Sequence, residues 1–581
     1  MRQDGSIKTL WSAQCAALAV SLSAIGCVGP IFRPQSPEAQ VGSRNSLDTL
    51  LVGDAAHPYG LGYVKLESVG LVTKLSGTGE DPPPSPQRAA ILAEMNRRSV
   101  EDPNFILASP NTALVLVRAY LRPGIQAGDQ FDVEVRAPSR SGTTSLRSGQ
   151  LLETRLTEMA VLGGQIRQGH PMAIAEGTVL VDPTADAQQD VALARRGRVL
   201  GGGRVTKSRS LGLILDHEQQ SVRMSQTVGK AINKRFYSYF EGRREGVATP
   251  KTDEFIELKL HPRYKDNVGR YMRIVRSIAL SESHAQLQSR QDLLRNQLLD
   301  PITSASAALR LEAIGSESVV EILTEGIAAE DPEVRFYAAE ALAYLDSTEA
   351  VDPLRRIAQD EPAFRAHALV ALSAMDDGAA YDALRSLLEV RSAKTRYGAF
   401  RSLSAMSPND PVIRGEDMNG KFSFHVLDVP GEPLVHVTSS HKPEIVLFGK
   451  DHRLKLPLVL DAGPRILVNG LSGGEVKISR FGEMTEQRVV GSNLPDVIRT
   501  VVELGGEYPD VVQMLQQAKD TGSLTCRFRV NALPTGGGDL LESNKASVAA
   551  NEAVLDETVE IEAAPSYHIQ TPQPELFGRK S

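Results

Sequence analysis

Val334–Leu342 reads VRFYAAEAL, Phe364–Leu372 reads FRAHALVAL, and Thr395–Leu403 reads TRYGAFRSL. The second residue of each stretch is an arginine, and successive arginines are 30 and 31 residues apart. Alanine and leucine positions keep the same register relative to that arginine, and the spacing of the apolar residues is helical. Self-similarity at a fixed period of this length is typical of stacked helical repeats, each of which buries its apolar face only against its neighbours.

The three stretches resemble HEAT repeats, which form an α-solenoid from stacked helix pairs. The dipeptides Asp331-Pro332 and Glu361-Pro362 predict helix starts, because a capping acid followed by proline suits the first turn. An ordinary helical bundle is the alternative. We assign residues 281–412 to this helical insert.

Sequence on both sides of the insert is rich in short apolar runs broken by Gly and Pro, which predicts strands. The glycine-punctuated stretch Leu61–Leu75 predicts paired short strands, and Ser85-Pro86 predicts the start of a helix that runs to Ser99. Further helices are predicted over 221–236, 266–278, 494–504 and 508–519. The expected fold class is therefore α+β, a multi-domain β-rich body with an inserted α-solenoid and a disordered C-terminal tail.

A chain of 581 residues exceeds what one hydrophobic core usually supports, so several domains are expected. The predicted division is 1–26 signal peptide, 27–45 tether, 46–280 first part of the body, 281–412 helical insert, 413–464 β-rich segment, 465–534 closing part of the body, and 535–581 disordered tail.

The first residues predict export, because Leu10–Ile25 has the length and composition of a signal-peptide core and is too short to span a bilayer. The run ends in Ala24-Ile25-Gly26-Cys27, where a small residue precedes a cysteine as in bacterial lipoprotein signals. Cys27 is thus a candidate for lipidation, which would anchor the mature chain to a membrane through its acyl chains alone. An ordinary cleavage site nearby is the alternative.

The mature chain would retain one unmodified cysteine, Cys526, which leaves no intrachain disulfide. Its strand-like setting favours a buried structural thiol over a reactive one.

Composition and motifs argue against nucleic-acid binding and against a catalytic, metal or cofactor site. A formal charge of −7 and a pI near 6.0 give no global reason to bind nucleic acid. The signatures of zinc hydrolases, serine hydrolases and thioredoxin-like proteins are missing from the sequence, so we predict no catalytic residues, metal ligands or cofactor. Ser76–Glu80 and Gly201–Gly203 are interpreted as turns, and the scattered histidines, such as His441 and His452, as surface or core residues.

The short basic runs, 195–198 and 243–244, predict solvated faces, or surfaces that meet an acidic partner.

Several motifs together resemble the flagellar basal-body P-ring protein family. They are Val69–Glu80, Leu121–Gly124, Gly128–Val135, Ser145–Leu152 and Ala173–Gly177, followed far downstream by Leu494–Val497 and Pro509–Leu524. The two blocks, 46–280 and 465–533, stand in the order that the family has. The resemblance implies a ring-building, non-catalytic body that is interrupted by the insert.

The resemblance also implies a function, a location and partners. The expected role is a structural subunit of the periplasmic P ring of the flagellar basal body, which forms a homo-oligomeric ring around the rod and acts as a bushing. The expected partners are flagellar rod and L-ring proteins, with a further protein partner for the helical repeats. The acyl anchor and the solenoid depart from the family pattern. The alternative is therefore an envelope lipoprotein scaffold at the outer membrane, whose HEAT-like repeats bind another envelope protein and which is not part of a flagellum.

Overall fold

The computed structural model describes residues 49–162, 165–182, 191–240, 242–471, 473–482 and 485–534. The predictions for the signal peptide, the tether, Cys27 and the C-terminal tail lie outside these residues. The described residues belong to one compact unit.

The strands are β1 (Ala56–Tyr59), β2 (Val64–Thr73), β3 (Ala113–Leu121), β4 (Gln130–Arg136), β5 (Gln150–Leu162), β6 (Gln165–Thr178), β7 (Arg196–Val205), β8 (Leu211–Leu215), β9 (Tyr237–Phe240), β10 (Arg243–Gly246), β11 (Ala248–Pro250), β12 (Phe255–Leu258), β13 (Glu416–Asp417), β14 (Ser423–Leu427), β15 (Leu434–Val437), β16 (Glu444–Phe448), β17 (Leu458–Ala462), β18 (Ile466–Gly470), β19 (Glu475–Arg480), β20 (Glu486–Gly491) and β21 (Arg527–Val530). The α-helices are α1 (Pro86–Arg97), α2 (Pro103–Leu107), α3 (Val191–Ala194), α4 (Val222–Arg235), α5 (Val268–Arg276), α6 (His284–Leu298), α7 (Ser304–Ile314), α8 (Glu317–Ile327), α9 (Pro332–Tyr344), α10 (Val351–Asp360), α11 (Arg365–Ser373), α12 (Gly378–Ser386), α13 (Ala393–Met406), α14 (Leu494–Glu503) and α15 (Tyr508–Asp520). This α+β content, with a helical repeat segment over 284–406, confirms the predicted fold class.

The N-terminal part of the body contains a closed barrel with the strand order β2-β3-β4-β7-β6-β5. Every neighbouring pair is antiparallel, and the side chains that alternate toward the interior are small or aliphatic, which fills a small barrel. The prediction of two short strands over Leu61–Leu75 is wrong, because β2 runs straight through this stretch. Gly70 does not break the strand. A Cβ atom there would lie 2.8 Å from Thr154 Oγ1 and 2.9 Å from Val117, so close packing explains the glycine.

Beside the barrel lies a second sheet with the order β1-β8-β12-β11, against which α4 packs. Ser221 accepts a hydrogen bond from the Met224 N–H at the start of α4, and Ser85 caps α1 in the same way. The predicted helices at 85–99, 221–236 and 266–278 are therefore present, each with ends one to two residues inside the predicted ones.

The repeat segment forms two rows of helices. In the inner row α7, α9, α11 and α13 pack side by side, whereas α6, α8, α10 and α12 form the outer row. Asp331 caps α9, as predicted, by accepting from the Glu333 N–H at 2.8 Å. The predicted start at Glu361-Pro362 is wrong, because α11 begins at Arg365 after a turn.

The C-terminal part contains a mixed five-stranded sheet, β13-β14-β16-β15-β21, and an antiparallel four-stranded sheet, β17-β18-β19-β20. Every residue of β15 and β16 is buried. Alternate side chains of these strands face the helical repeats on one side, and on the other side a second core with α14 and α15. Two-sided burial explains why both strands are apolar except at His436 and Glu444. The fifth strand, β21, comes from the closing segment and pairs parallel with β15.

Candidate assembly site

The repeated arginines of the insert act as helix caps. The Arg335 guanidinium donates to the carbonyl oxygen of Glu330 at 2.6 Å, just past the end of α8. Arg365 donates to the carbonyl oxygen of Ala358 in the last turn of α10 at 2.9 Å, and Arg396 donates to that of Leu388 at 2.8 Å. In each repeat the arginine thereby satisfies carbonyl groups that a helix end leaves without a partner. The sequence period of about thirty residues therefore reflects one kind of hydrogen bond, which recurs at Arg335, Arg365 and Arg396.

Buried polar side chains join the first repeats to the N-terminal part of the body; we call this cluster the entry joint. Its members are Tyr264, Asn267, Arg270, Glu312, Glu340 and Tyr344. The Arg270 guanidinium, on α5, pairs with Glu312 on α7 and with Glu340 on α9, the latter at 2.5 Å.

The polar groups of the entry joint have hydrogen-bond, ion-pair or ring-stacking partners within it. The Tyr264 hydroxyl donates to Glu312 at 2.6 Å, and the rings of Tyr264 and Tyr344 stack at 4.7 Å. Burial by itself would lower the pKa of Arg270, but its two carboxylate partners raise it well above its usual range. Burial raises the pKa of Glu312, and Arg270 opposes that rise. A buried charge set of this kind holds its elements in a fixed register, since losing one partner leaves another charge unpaired.

A second cluster, which we call the exit joint, connects α13 to the mixed sheet. The Tyr397 hydroxyl donates to Glu444 of β16, and Arg401 lies 3.6 Å from the same carboxylate. The Tyr397 ring stacks on that of His436 at 3.6 Å. Burial, and then Arg401, lowers the pKa of His436 to about 3, so its ring is neutral and its Nε2 accepts from the Ala532 N–H at 2.9 Å.

The two rows of helices differ in accessibility. On α9 nearly every residue from Val334 to Tyr344 is buried, since this helix lies between the outer row and α5. Outer-row helices bury one face only; on α8 the buried residues are Val319, Ile322, Leu323 and Gly326. The inner row is therefore covered by the chain itself, and the outer row is the accessible side of the insert.

The C-terminal sheet returns to the barrel through Asp132. One carboxylate oxygen accepts from the Gly201 N–H at 2.9 Å, and the other accepts from the His441 N–H at 2.6 Å. Burial raises the pKa of Asp132 to about 6, and the two N–H donors moderate the rise. Nearby, the Thr178 hydroxyl donates to Glu507 at 2.5 Å. Barrel, helical insert and C-terminal sheets thus form a closed circuit of contacts.

Gly201–Gly203 lies inside β7 and not in a turn, which corrects the sequence interpretation. The register between β4 and β7 shifts at this point. A Cβ on Gly203 would lie 2.3 Å from the Phe131 ring, and Gly201 has a φ of +59°, which favours glycine. The cluster gives the barrel its bulge beside Asp132. The stretch 76–80 is the expected loop ahead of α1.

Of the other residues discussed in the sequence analysis, His452, Arg195 and Cys526 are buried or half-buried in the fold. His452 is buried, and burial lowers the pKa of its imidazole. The Arg195 guanidinium is a half-buried donor to the carbonyl oxygens of Pro138 and Ser141, which differs from the predicted solvated face. Cys526 is half-buried, and burial raises the pKa of its thiol to about 11.

Over the described ranges, no group of His, Cys, Asp and Glu side chains is placed to hold a metal ion. No helix among those residues is both long and apolar enough to cross a membrane.

Comparison with known proteins agrees with this division of the chain. Residues 52–288 match the family model described as "Flagellar P-ring protein", and residues 291–372 match that of "HEAT repeats". The flagellar P-ring protein of Hydrogenovibrio crunogenus is 31% identical over 170 residues, which are 28% of this chain and 43% of that protein. The flagellar P-ring protein of Caulobacter vibrioides is 28% identical over 186 residues, which are 30% of this chain and 47% of that protein.

The chain thus spans less than half the length of these curated relatives. Both resemblances inferred from the sequence motifs are confirmed over the matched residues. The chain carries a flagellar P-ring family domain over residues 52–288, followed directly by a HEAT-repeat segment.

Proposed function

We propose that this protein is a structural subunit of the flagellar basal-body P ring, which self-assembles in the periplasm around the rod as a bushing for rotation. The observation that carries the proposal is the P-ring family match over 52–288, which takes in the whole barrel and the sheet beside it. The P-ring family is structural, without catalysis, and belongs to the periplasmic basal body. The proposed partners are neighbouring copies in the ring and the rod and L-ring proteins.

The way in which the helical insert is held supports this role. The entry joint places Arg270 of the P-ring domain between two glutamates of the repeats, and the exit joint ties the last repeat to the C-terminal sheet. An appended binding module needs no such buried attachment, since linkers between separate domains are usually exposed. The insert accordingly serves the ring subunit as part of its body.

The test is the composition of isolated basal bodies. Basal bodies are purified from a motile strain whose chromosomal copy of this gene carries an affinity tag, and the proteins are quantified by mass spectrometry with rod and L-ring proteins as internal references. We expect this protein in the preparation and a loss of motility on deletion. Intact, rotating flagella in the deletion strain would contradict the proposal.

A second candidate function is an envelope lipoprotein scaffold whose HEAT repeats bind another envelope protein outside the flagellum. The observation that favours it is the exposed outer row of helices, together with the short coverage of the relatives. In this case basal bodies would lack the protein. A different envelope protein would be recovered with it and lost when the outer row is altered.

We further propose that Cys27 is lipidated and that the mature chain is attached to the outer membrane by its acyl chains. Metabolic labelling with a fatty acid should mark the wild-type chain and not the Cys27→Ser variant.

We also propose that the chain divides into the segments 281–412, 413–464 and 465–534. Limited proteolysis that cuts first near these boundaries would support them, and first cuts inside a repeat would not.

A further inference from the structure

The helical insert carries the negative charge of the molecule. Between Glu317 and Glu389 there are sixteen Asp and Glu residues against five Arg and no Lys, whereas the formal charge of the whole chain is only −7. Much of this charge is exposed on the outer row or at its helix ends. The exposed acidic residues are Glu317, Glu321, Glu325, Glu330, Glu349, Asp352, Asp360, Asp376, Asp382 and Glu389.

The clearest part of this face is a stripe of three glutamates on α8, at positions 317, 321 and 325. Side chains four residues apart on a helix are neighbours, and like charges at that spacing destabilise the helix. Glu325 is relieved by Arg295 of α6 at 3.2 Å. No ion pair within the described ranges relieves Glu317 or Glu321. Glu317 stands in the first turn of α8, where the helix dipole favours an acid, so the unfavourable like-charge spacing bears mainly on Glu321. An unpaired carboxylate of this kind is expected of a surface that meets positive charge elsewhere.

A surface of opposite charge lies on the P-ring domain. Residues 222–246, which form α4 and the β9–β10 hairpin, contain six Lys and Arg against two Glu. The exposed basic residues are Arg223, Lys230, Lys234, Arg243 and Arg244. The hairpin pairs only with itself among the described strands, and Arg244 attaches it to the end of α4 by donating to the carbonyl oxygens of Asn233 and Lys234.

The hairpin also has the side chains of an interface. Tyr239, opposite Arg244 in the pairing, is 71% exposed, and the Arg244 guanidinium lies over the Tyr237 ring at 3.7 Å from its centre. Tyr and Arg, together with Trp, are enriched at the energetic centres of protein interfaces. The hairpin therefore combines positive charge with exposed aromatic area.

We propose that the β9–β10 hairpin and α4 of one copy dock on the acidic outer row of the helical insert of a neighbouring copy. This proposal rests on the P-ring function proposed above and identifies one contact between subunits. The charges are complementary, and the two surfaces come from different segments of the chain. A closed ring is built from heterologous contacts, in which one patch of each subunit meets a different patch of the next. Within one copy the two patches adjoin where Arg235, at the end of α4, donates to the carbonyl oxygen of Glu312. The insert then adds a contact to the ring that the P-ring domain by itself would lack.

Charge-reversal variants of the two surfaces, made in the full chain, test the proposal. One variant combines Arg243→Glu with Lys234→Glu, and the other combines Glu317→Arg with Glu321→Arg. All four side chains are exposed, so both variants should keep the wild-type circular dichroism spectrum. The matched control is Lys477→Glu, a reversal of an exposed charge on the four-stranded sheet.

Self-association is measured by sedimentation velocity over a range of protein concentrations. The wild type and the control should associate at about 50 mM salt and much more weakly at about 500 mM, where the Debye length is shorter. Each double variant alone should associate at least about tenfold more weakly. An equal mixture of the two variants should recover association, because the reversed hairpin then meets a reversed stripe.

Failure of this inference is distinguishable from failure of the ring proposal. A wild type that stays monomeric at low salt, or a mixture that gains nothing over the separate variants, overturns the docking contact. If the same protein is still found in basal bodies, the ring proposal stands without it. Recovery of association in the mixture, combined with basal bodies that lack the protein, would keep the contact and overturn the ring. The variant with Glu317→Arg and Glu321→Arg could lose a different bound protein while its self-association stays unchanged. That result would assign the acidic row to another partner and would also overturn the docking contact.

Discussion

Arg270 should be the most sensitive residue of the junction between the P-ring domain and the repeats. Arg270 is 3% exposed, and its guanidinium forms ion pairs with both Glu312 and Glu340. Arg270→Met keeps most of the side-chain volume and removes the charge. The two carboxylates are then left buried and close together, with the Tyr264 hydroxyl as the main remaining donor to Glu312.

Removing one partner of a buried ion pair typically costs about 3–5 kcal/mol of unfolding free energy, because the other charge stays buried without compensation. A loss of this size is a large share of the roughly 5–15 kcal/mol that stabilises a typical domain. The matched control is Arg263→Met, which removes a half-exposed ion pair with Asp346 at 2.8 Å between the same two segments. Arg263 also donates to the carbonyl oxygen of Tyr344, at 3.3 Å. Because both groups of the ion pair are partly solvated, the control should lose much less than Arg270→Met, on the order of 1 kcal/mol.

The assay is urea unfolding, monitored by far-ultraviolet circular dichroism at pH 7.5 and at pH 5. Burial raises the pKa of Glu312, and Arg270→Met removes the cation that opposes the rise, so the Glu312 carboxyl favours folding at low pH and disfavours it as pH rises. The deficit relative to wild type should therefore shrink at pH 5. Changing both glutamates to Gln in the same chain should restore part of the lost stability at pH 7.5. A loss below about 1 kcal/mol that does not depend on pH would refute the role assigned to the entry joint.

Three further predictions concern other parts of the structure. Arg365→Met should cost about 1.5–3 kcal/mol in urea unfolding, because charged hydrogen bonds to helix-end carbonyls are lost; the exposed Arg356→Met should change little. Asp132 has a pKa raised to about 6 by burial, so its contribution to stability is full below about pH 4 and declines as pH rises through 6. A profile of melting temperature against pH should show that decline in the wild type and lose it in Asp132→Asn. Cys526, with a pKa raised to about 11 by burial, should react slowly with a thiol reagent at pH 8 and rapidly in urea, in a chain whose other two cysteines are serine; equal rates would contradict the burial.

Local signals predicted much of the secondary structure, although the acid-proline pair at Glu361-Pro362 did not mark a helix start. Ser85 and Ser221 are real N-caps, and the arginine period correctly located the repeats. Glycine misled the sequence interpretation in the barrel at Gly70 and Gly203, since a glycine that avoids a steric clash looks the same in sequence as one that makes a turn. Which of the two applies depends on side chains that are distant along the chain, and these are fixed only by the fold.

The joints were not predictable, because they depend on pairing across long sequence separations. Glu312 and Glu340 each look like an ordinary helix-surface charge in the sequence. Only the packing of α5 against the inner row brings Arg270 between them. The same holds for Asp132, which meets His441 across 309 residues. Local periodicity finds the elements, whereas the contacts that close the molecule require the tertiary structure.

The closed circuit changes what a solenoid does in this molecule. In an isolated solenoid the stability is a sum of repeats and nearest-neighbour contacts, so its terminal repeats open first unless they are capped. Here the P-ring domain caps the first repeats through Arg270, and the C-terminal sheet caps the last one through Glu444. That sheet then returns to the barrel at Asp132. Opening any one contact leaves a buried charge or donor without its partner in the next element, so the repeats and the P-ring domain should unfold together. The outer row, which takes no part in this circuit, can therefore carry a destabilising stripe of charge and remain available for contact with a neighbouring copy.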